Sequence, residues 1–341
     1  MRLILLAACL VLAARATAQT PAPAPGRDPQ ATTPPPPTVA ERVDVVAVTP
    51  VDGTGQPRWR VPANVQIVQP GRLGDWRIDV ASLLAHGIGG LHVSEAQGGT
   101  FQPDVLFRGF TGSPLLGASE GLAVYQDGVR TNEPFGDVVN WDALPPAAVE
   151  SLQVIPGSNP LFGLNTLGGA VSVRTRDGFS APGGRLAVSA GSFGRLRGDG
   201  DWGARRGRLA AYGAAAWIDE DGWRDESPST LRRLFGKASW QGAASRADVT
   251  ALVSSNDLLG NGTVPARLLA ERRSAVFTHP DRTENDTRAF SARLDRFLSP
   301  YLRFESTAYA RPTRLASTPR SESDQVSSGF FFAAMMFLNE G

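Results

Sequence analysis

From Gly183 onward apolar residues recur at every second position. Leu186, Val188 and Ala190 alternate with Arg185, Ala187 and Ser189, and Leu234, Gly236, Ala238 and Trp240 alternate with Arg233, Lys237, Ser239 and Gln241. Val249, Ala251 and Val253 oppose Asp248, Thr250 and Ser254. Phe290, Ala292 and Leu294 oppose Ser291, Arg293 and Asp295, and Leu302, Phe304 and Ala308 oppose Arg303, Glu305 and Thr307. A period of two over segments of about ten residues predicts half-buried antiparallel strands. Seven are expected between residues 183 and 326, near 184–193, 196–204, 207–219, 231–242, 246–256, 286–298 and 301–311. Their second, fourth and sixth connections are tight, whereas the third and fifth, Glu220 to Thr230 and Asp257 to Asn285, are long, with the first, Ser192 to Arg195, the one short exception on the long-loop side. Short turns on one side and long loops on the other suit a membrane barrel. Trp217, Trp223, Trp240 and Tyr301 near strand ends suit an interfacial girdle, although aromatic residues in a soluble β-sandwich sit similarly.

Residues 61–178 read differently. Val65 to Val68 predicts a strand and Asp79 to Ala85 a short helix. Strand-like runs follow at Asp104 to Arg108, Leu122 to Gln126, Ser151 to Ile155 and Ala170 to Arg174. Gly128, Gly157, Gly163, Gly168 and Gly169 fall where turns or close backbone approaches are expected. The pattern is that of an α+β domain of ordinary size. Arg108 ends an apolar run before Gly109, so its guanidinium is expected to be partly buried against carboxylates or carbonyls. The stretch Arg130 to Asp137, with Asn140, Trp141 and Asp142 after it, is a polar and aromatic loop without a periodic face.

Ahead of this domain, Arg2, an apolar run from Leu3 to Ala14, and Ala16-Thr17-Ala18 form an export signal over residues 1–18. Residues 19–40 are a proline- and alanine-rich tether, including Pro34 to Pro37, suited to extended polyproline II backbone. Residues 41–48 are β-prone and stop before Pro50. That stretch reads equally as a strand that adds to another protein's sheet or as the first strand of the next domain.

Composition narrows the chemistry. Arginine and lysine number 34 against 33 acidic residues, and Lys237 is the only lysine, which argues against nucleic acid as a partner. Losing Arg2 and Arg15 with the signal takes the formal charge from +1 to −1 and removes Cys9, the only cysteine. His86, His92 and His279 are too scattered for a metal-ligand spacing, and Gly87-Ile88-Gly89-Gly90 lacks the context of a phosphate loop. Catalytic, cofactor and metal sites are therefore not expected.

In order along the chain, Val61-Pro62-Ala63-Asn64-Val65, Leu83-Leu84, Phe107-Arg108-Gly109-Phe110, Val124 to Arg130, Val149 to Val154, Pro156-Gly157-Ser158 and Gly168 to Val173 resemble the plug of TonB-dependent outer-membrane receptors. The resemblance implies an α+β plug domain followed by an incomplete antiparallel transmembrane β-barrel. It implies a TonB box at Glu41, Arg42, Val43, Asp44, Val45, Val46 and Ala47, and energy-coupled uptake of a scarce ligand such as a ferric siderophore or cobalamin. The partners it implies are TonB, an iron chelate or similar external ligand, and outer-membrane lipid. It further implies that Arg108 meets acidic residues on the barrel wall, and that Asn132, Glu133, Phe135 and Trp141 face the outer vestibule and contact ligand. A loop that packs the plug against the barrel is the alternative for those four.

Two features depart from the family pattern. Seven strands are far fewer than the 22 of a plugged barrel, and residues 327–341, with Phe330-Phe331-Phe332, Met335 and Met336, read as an atypical tail without alternation. The expectation is a truncated receptor with a change of frame near Ser327, or else an exported fragment that binds TonB or ligand without transporting.

Overall fold

The computed structural model describes residues 45–46, 56–57, 60–70, 79–95, 99–118, 120–260, 262–279, 281–299, 301–317 and 321–336. All of them belong to one compact unit, Val43–Gly341. The expected signal and tether, and Glu41 to Asp44 with Ala47 and Val48, lie outside the described residues.

Two short strands, β1 (Val45–Val46) and β2 (Gln56–Pro57), pair antiparallel. The domain that follows contains β3 (Gln66–Val68), α1 (Val80–Gly87), β4 (Leu91–Ser94), β5 (Asp104–Phe107) and β6 (Phe110–Gly112). It continues with β7 (Leu122–Gln126), β8 (Val129–Arg130), β9 (Val149–Pro156) and β10 (Gly169–Thr175). Five strands form a sheet in the order β3-β9-β10-β7-β8, in which only β10 and β7 run parallel, and β4, β5 and β6 form a second sheet. Asp79 does not begin the helix but caps it: its carboxylate accepts from the Ser82 N–H at 2.7 Å, closing a capping box. Strands β4, β6 and β8 escaped the sequence reading because two to four residues carry no measurable period.

Eight strands then run as an antiparallel meander: β11 (Gly183–Ala190), β12 (Leu196–Arg206), β13 (Leu209–Glu220), β14 (Ser229–Gln241), β15 (Ser245–Leu259), β16 (Arg282–Ser299), β17 (Leu302–Ser317) and β18 (Ser321–Met336). The last is a correction. Part of the segment taken as a tail from 327 is a strand, paired with β17 from Ser317↔Ser321 to Leu302↔Met336. Alternation reports which faces are wet, whereas pairing needs only a free backbone edge and β-prone residues such as valine and phenylalanine, so alternation was too narrow a criterion.

The register arranges the outward residues of this sheet in cross-strand rows. Gly213, Gly236, Ala251, Phe290 and Ala310 share one row, and Ala211, Ala238, Val249, Ala292 and Ala308 the next. Leu209, Trp240, Ala247, Leu294 and Ser306 form a third. Leu209 to Ala215 spans six residue steps, about 20 Å along the strand at ~3.4 Å per residue, an alternating outward face of the kind membrane barrels carry. Polarity is inverted here: Leu186 is 82% exposed and Leu234 58%, while Arg233 is 3% exposed. The inward face instead joins the domain's core. Tyr212, Ala214, Phe235 and Leu252 pack with Leu83, Leu84, Leu152 and Val171 in one cluster.

Gly169 shows how tightly the five-stranded sheet is made. Its φ is 133°, and a Cβ there would collide with the Ile155 carbonyl oxygen, whereas Gly157 at φ 93° opens into free space. Gly169→Ala is expected to cost about 1–3 kcal/mol from backbone strain alone, with the collision in addition. Gly157→Ala should cost clearly less. Denaturant unfolding of both variants checks the order.

Candidate functional site

The inward face of the eight-stranded wall carries cations, and the enclosed domain meets them with carboxylates. At the end nearer the short turns, Lys237 of β14 donates to Asp127 Oδ2 at 3.2 Å and to Thr175 Oγ1 at 3.0 Å. Asp127 sits in the β7–β8 turn, where its backbone N–H binds Val173 O and its Oδ1 accepts from the Thr175 N–H, both at 2.9 Å. Arg246 of β15 forks between Asp177 and Asp248. Burial pushes the Asp177 carboxyl up, but the Arg246 guanidinium and the Ser180 N–H outweigh it and hold the group below its usual range.

Midway along the wall, the buried Arg233 of β14 exerts its charge on both Asp79 and Asp142. Asp142 accepts from the side-chain amides of Asn256 at 2.5 Å and Asn285 at 3.5 Å. Burial pushes Asp79 up to about 6 against the opposing pull of Ser82 and Arg233. Tyr212 donates its hydroxyl to the Ala147 carbonyl at 2.7 Å. Nearer the long connections, Arg311 of β17 binds Glu133 Oε1 at 2.7 Å and the Asn132 carbonyl at 2.9 Å. Beside that pair, a cleft separates the five-stranded sheet from β15–β17, lined by Val124, Trp141, Leu252 and Arg311 among others.

This geometry sorts the residues singled out in the sequence. Arg108 is exposed in the β5–β6 turn at φ 52°, its guanidinium 5.3 Å from the centre of the Phe107 ring, so the expected burial is corrected. A tight hairpin turn points its tip residue away from both packed faces. Wall cations against enclosed carboxylates, the reverse of the expected arrangement, hold the domain. Asn132 is buried, accepting from the Val124 N–H at 2.7 Å and donating to the Leu122 carbonyl at 3.0 Å. Glu133 is bound by Arg311 and by Asn140 at 2.9 Å, and Trp141 donates to the Gly112 carbonyl at 2.9 Å. Those three pack the loop against its surroundings, while Phe135, 62% exposed, remains open. Val45 and Val46 pair with Pro57 and Gln56. Arg233, Lys237, Arg246 and Arg311 were not singled out, although Arg233 and Lys237 already stand on the polar parity of their strand.

Two tests follow from the buried charges. Arg311→Met would leave Glu133 buried and unpaired, at an expected cost of about 3–5 kcal/mol, and adding Glu133→Leu should recover most of it. A double-mutant cycle on unfolding measures the coupling. Glu120, whose carboxylate accepts from the Ser113 N–H, is pushed from 4.5 to about 8, chiefly by burial and, against that hydrogen bond, by Asp137 and Asp104. The folded chain therefore holds this proton more tightly than the unfolded one. Its contribution to stability is complete below 4.5 and is lost as pH rises through about 8. Glu120→Gln should flatten stability across that window, as read from denaturant midpoints.

Residues 57–170 match the TonB-dependent receptor plug domain family. No curated protein sequence matches the chain. Among solved structures, the ferripyoverdine receptor of the outer membrane of Pseudomonas aeruginosa, bound to ferripyoverdine, aligns at 16% identity with a TM-score of 0.62 over 85% of this chain and 41% of its own. BauA, the ferric preacinetobactin receptor from Acinetobacter baumannii, aligns at 17% identity and a TM-score of 0.60 over 82% and 43%. The ferric citrate transporter FecA in its unliganded form aligns at 12% identity and 0.62 over 80% and 43%. The chain thus spans about two fifths of the length of these receptors and transporters. Residues 57–170 are a TonB-dependent receptor plug, and with the strands that follow them the chain has the TonB-dependent receptor fold, comprising the plug and part of the barrel.

Proposed function

We propose that this chain supplies the plug and part of the wall of a Gram-negative outer-membrane receptor that takes up a scarce external ligand, a ferric siderophore or cobalamin, by energy coupling through TonB. The observation that carries the reading is the wall's inverted polarity: an apolar outer face suits lipid, and cations on the inner face grip a plug. Residues 1–18 would be removed on export, and the tether at 19–40 would carry Glu41 to Ala47 to TonB. Val45 and Val46 form only a two-residue ladder with Gln56 and Pro57, so a partner strand has little pairing to displace. A pull there reaches the plug sheet through β3, an edge strand with three register pairs to β9. Of the four loop candidates, Phe135 is the one proposed to touch ligand. Asn132, Glu133 and Trp141 hold the loop in place.

A second reading has its own support. Among the described residues β11 and β18 each pair on one side only, and an open edge in lipid leaves N–H and C=O groups unsatisfied. The eight strands taken alone therefore suit binding of TonB or ligand, and uptake requires a closed wall. A photo-crosslinker placed at Val45 should capture the periplasmic domain of TonB, and one placed at Phe135 should not. Capture at Phe135 or absence of capture at Val45 contradicts the assignment.

A further inference from the structure

Exposed arginines interrupt the outward face of the wall in two adjacent cross-strand rows. Arg288 of β16 shares a cross-strand row with Leu234 and Val253, both exposed on the apolar face. Arg232 of β14 stands one row nearer the long connections, in line with Trp217, Ser255, Asp286 and Arg314. Arg232 and Arg288 are exposed, and neither pairs with a carboxylate among the described residues. Asp286 lies directly opposite Arg314 across the ladder. The acids of the next row are held within the wall: Asp257 and Glu284 both bind Arg282, and Asp219 accepts from the Thr230 hydroxyl at 2.8 Å.

An arginine on a lipid-facing surface is tolerated where its guanidinium reaches an anion at the membrane boundary. Trp217, 40% exposed in the Arg232 row, marks that boundary, as amphipathic rings do at headgroup depth. The long connections 221–228 and 260–281 join the strands at this end, which makes it the outer side under the function proposed above.

We infer that Arg232 and Arg288 form a docking site for the phosphate of an outer-leaflet lipid. Guanidinium forks on alternate strands face the boundary where lipid phosphates lie, and each offers paired N–H donors to a phosphate's oxygens. The site rests on the outer-membrane reading but not on TonB or on any transported ligand.

The full chain, refolded in detergent, would be mixed with vesicles of phosphatidylcholine alone or with added phosphatidic acid, and its retained lipid counted by native mass spectrometry. Preferential retention of phosphatidic acid is expected. Arg232→Gln with Arg288→Gln should weaken it roughly thirtyfold, as two membrane-surface arginines imply. Arg296→Gln, at the opposite end of β16, should leave it unchanged, and arginine-to-lysine replacements should keep much of it. Competition by millimolar inorganic phosphate would assign the site to free phosphate and overturn the lipid proposal. So would a phosphatidic acid preference that is absent or that survives the double substitution. Failure of the unaltered chain to associate with either vesicle would instead overturn the membrane reading on which the site depends.

Discussion

The structure depends on one constraint: a wall whose outer face is apolar must turn its charges inward, and those charges must be answered there. An unpaired buried arginine or lysine is costly. Here successive wall strands from β13 to β17 each place a polar group against the plug: Tyr212, then Arg233 and Lys237, then Arg246 and Asn256, then Asn285, and finally Arg311. Their partners come from separate parts of the plug, from Asp79 at the cap of the helix to Asp177 at its exit into the wall. Wall cations thus meet plug carboxylates at several heights of the contact, while Arg197, Arg293 and Arg303 pair with acids of the wall itself, and the shared apolar cluster around Leu83, Leu152 and Phe235 fills the space between. Removing either partner leaves the other exposed to the penalty that the pair avoids.

The same arrangement bears on force. A plug fixed at several heights by buried polar contacts resists displacement as a body, so force applied near β1 would be met first by the two-pair β1–β2 ladder and then by β3, an edge strand with three register pairs to β9. The contacts on Asp127, Asp142 and Glu133 lie on the other side of that weak edge. Under the proposed coupling through TonB, this unequal distribution of bonds would let one part of the plug loosen while the remainder stays seated.

Much of the fold was legible in the sequence because the wall writes its two environments into alternate positions. Seven of its strands fall where alternation put them, the last extending six residues farther to Ser317, and the short helix and the turn glycines Gly128, Gly157, Gly163 and Gly169 of the plug were equally readable. The eighth strand was not, since Ser321–Met336 lacks alternation and its pairing rests on backbone bonds with β17. The candidate site was less legible. A loop's composition does not reveal whether its polar groups face solvent or a partner distant in sequence: Glu133 meets Arg311, 178 residues away. Arg108 illustrates the converse, an arginine beside an apolar strand whose turn geometry sends it outward. The cations that matter most, Arg233 and Lys237, were visible as polar residues of the correct parity, but only three-dimensional pairing gives them their role.

Under the proposed function, alternate residues of the wall face lipid and plug. This alternation is tested most directly by spin labels placed singly from Val249 to Ser254 of β15 in the membrane-inserted chain, with accessibility to oxygen and to an aqueous relaxant compared. Labels at 249, 251 and 253 should be reached by oxygen from the lipid, and those at 250, 252 and 254 should be shielded from both. Equal accessibility at all six positions, or water-borne relaxation at 249 and 253, would contradict it.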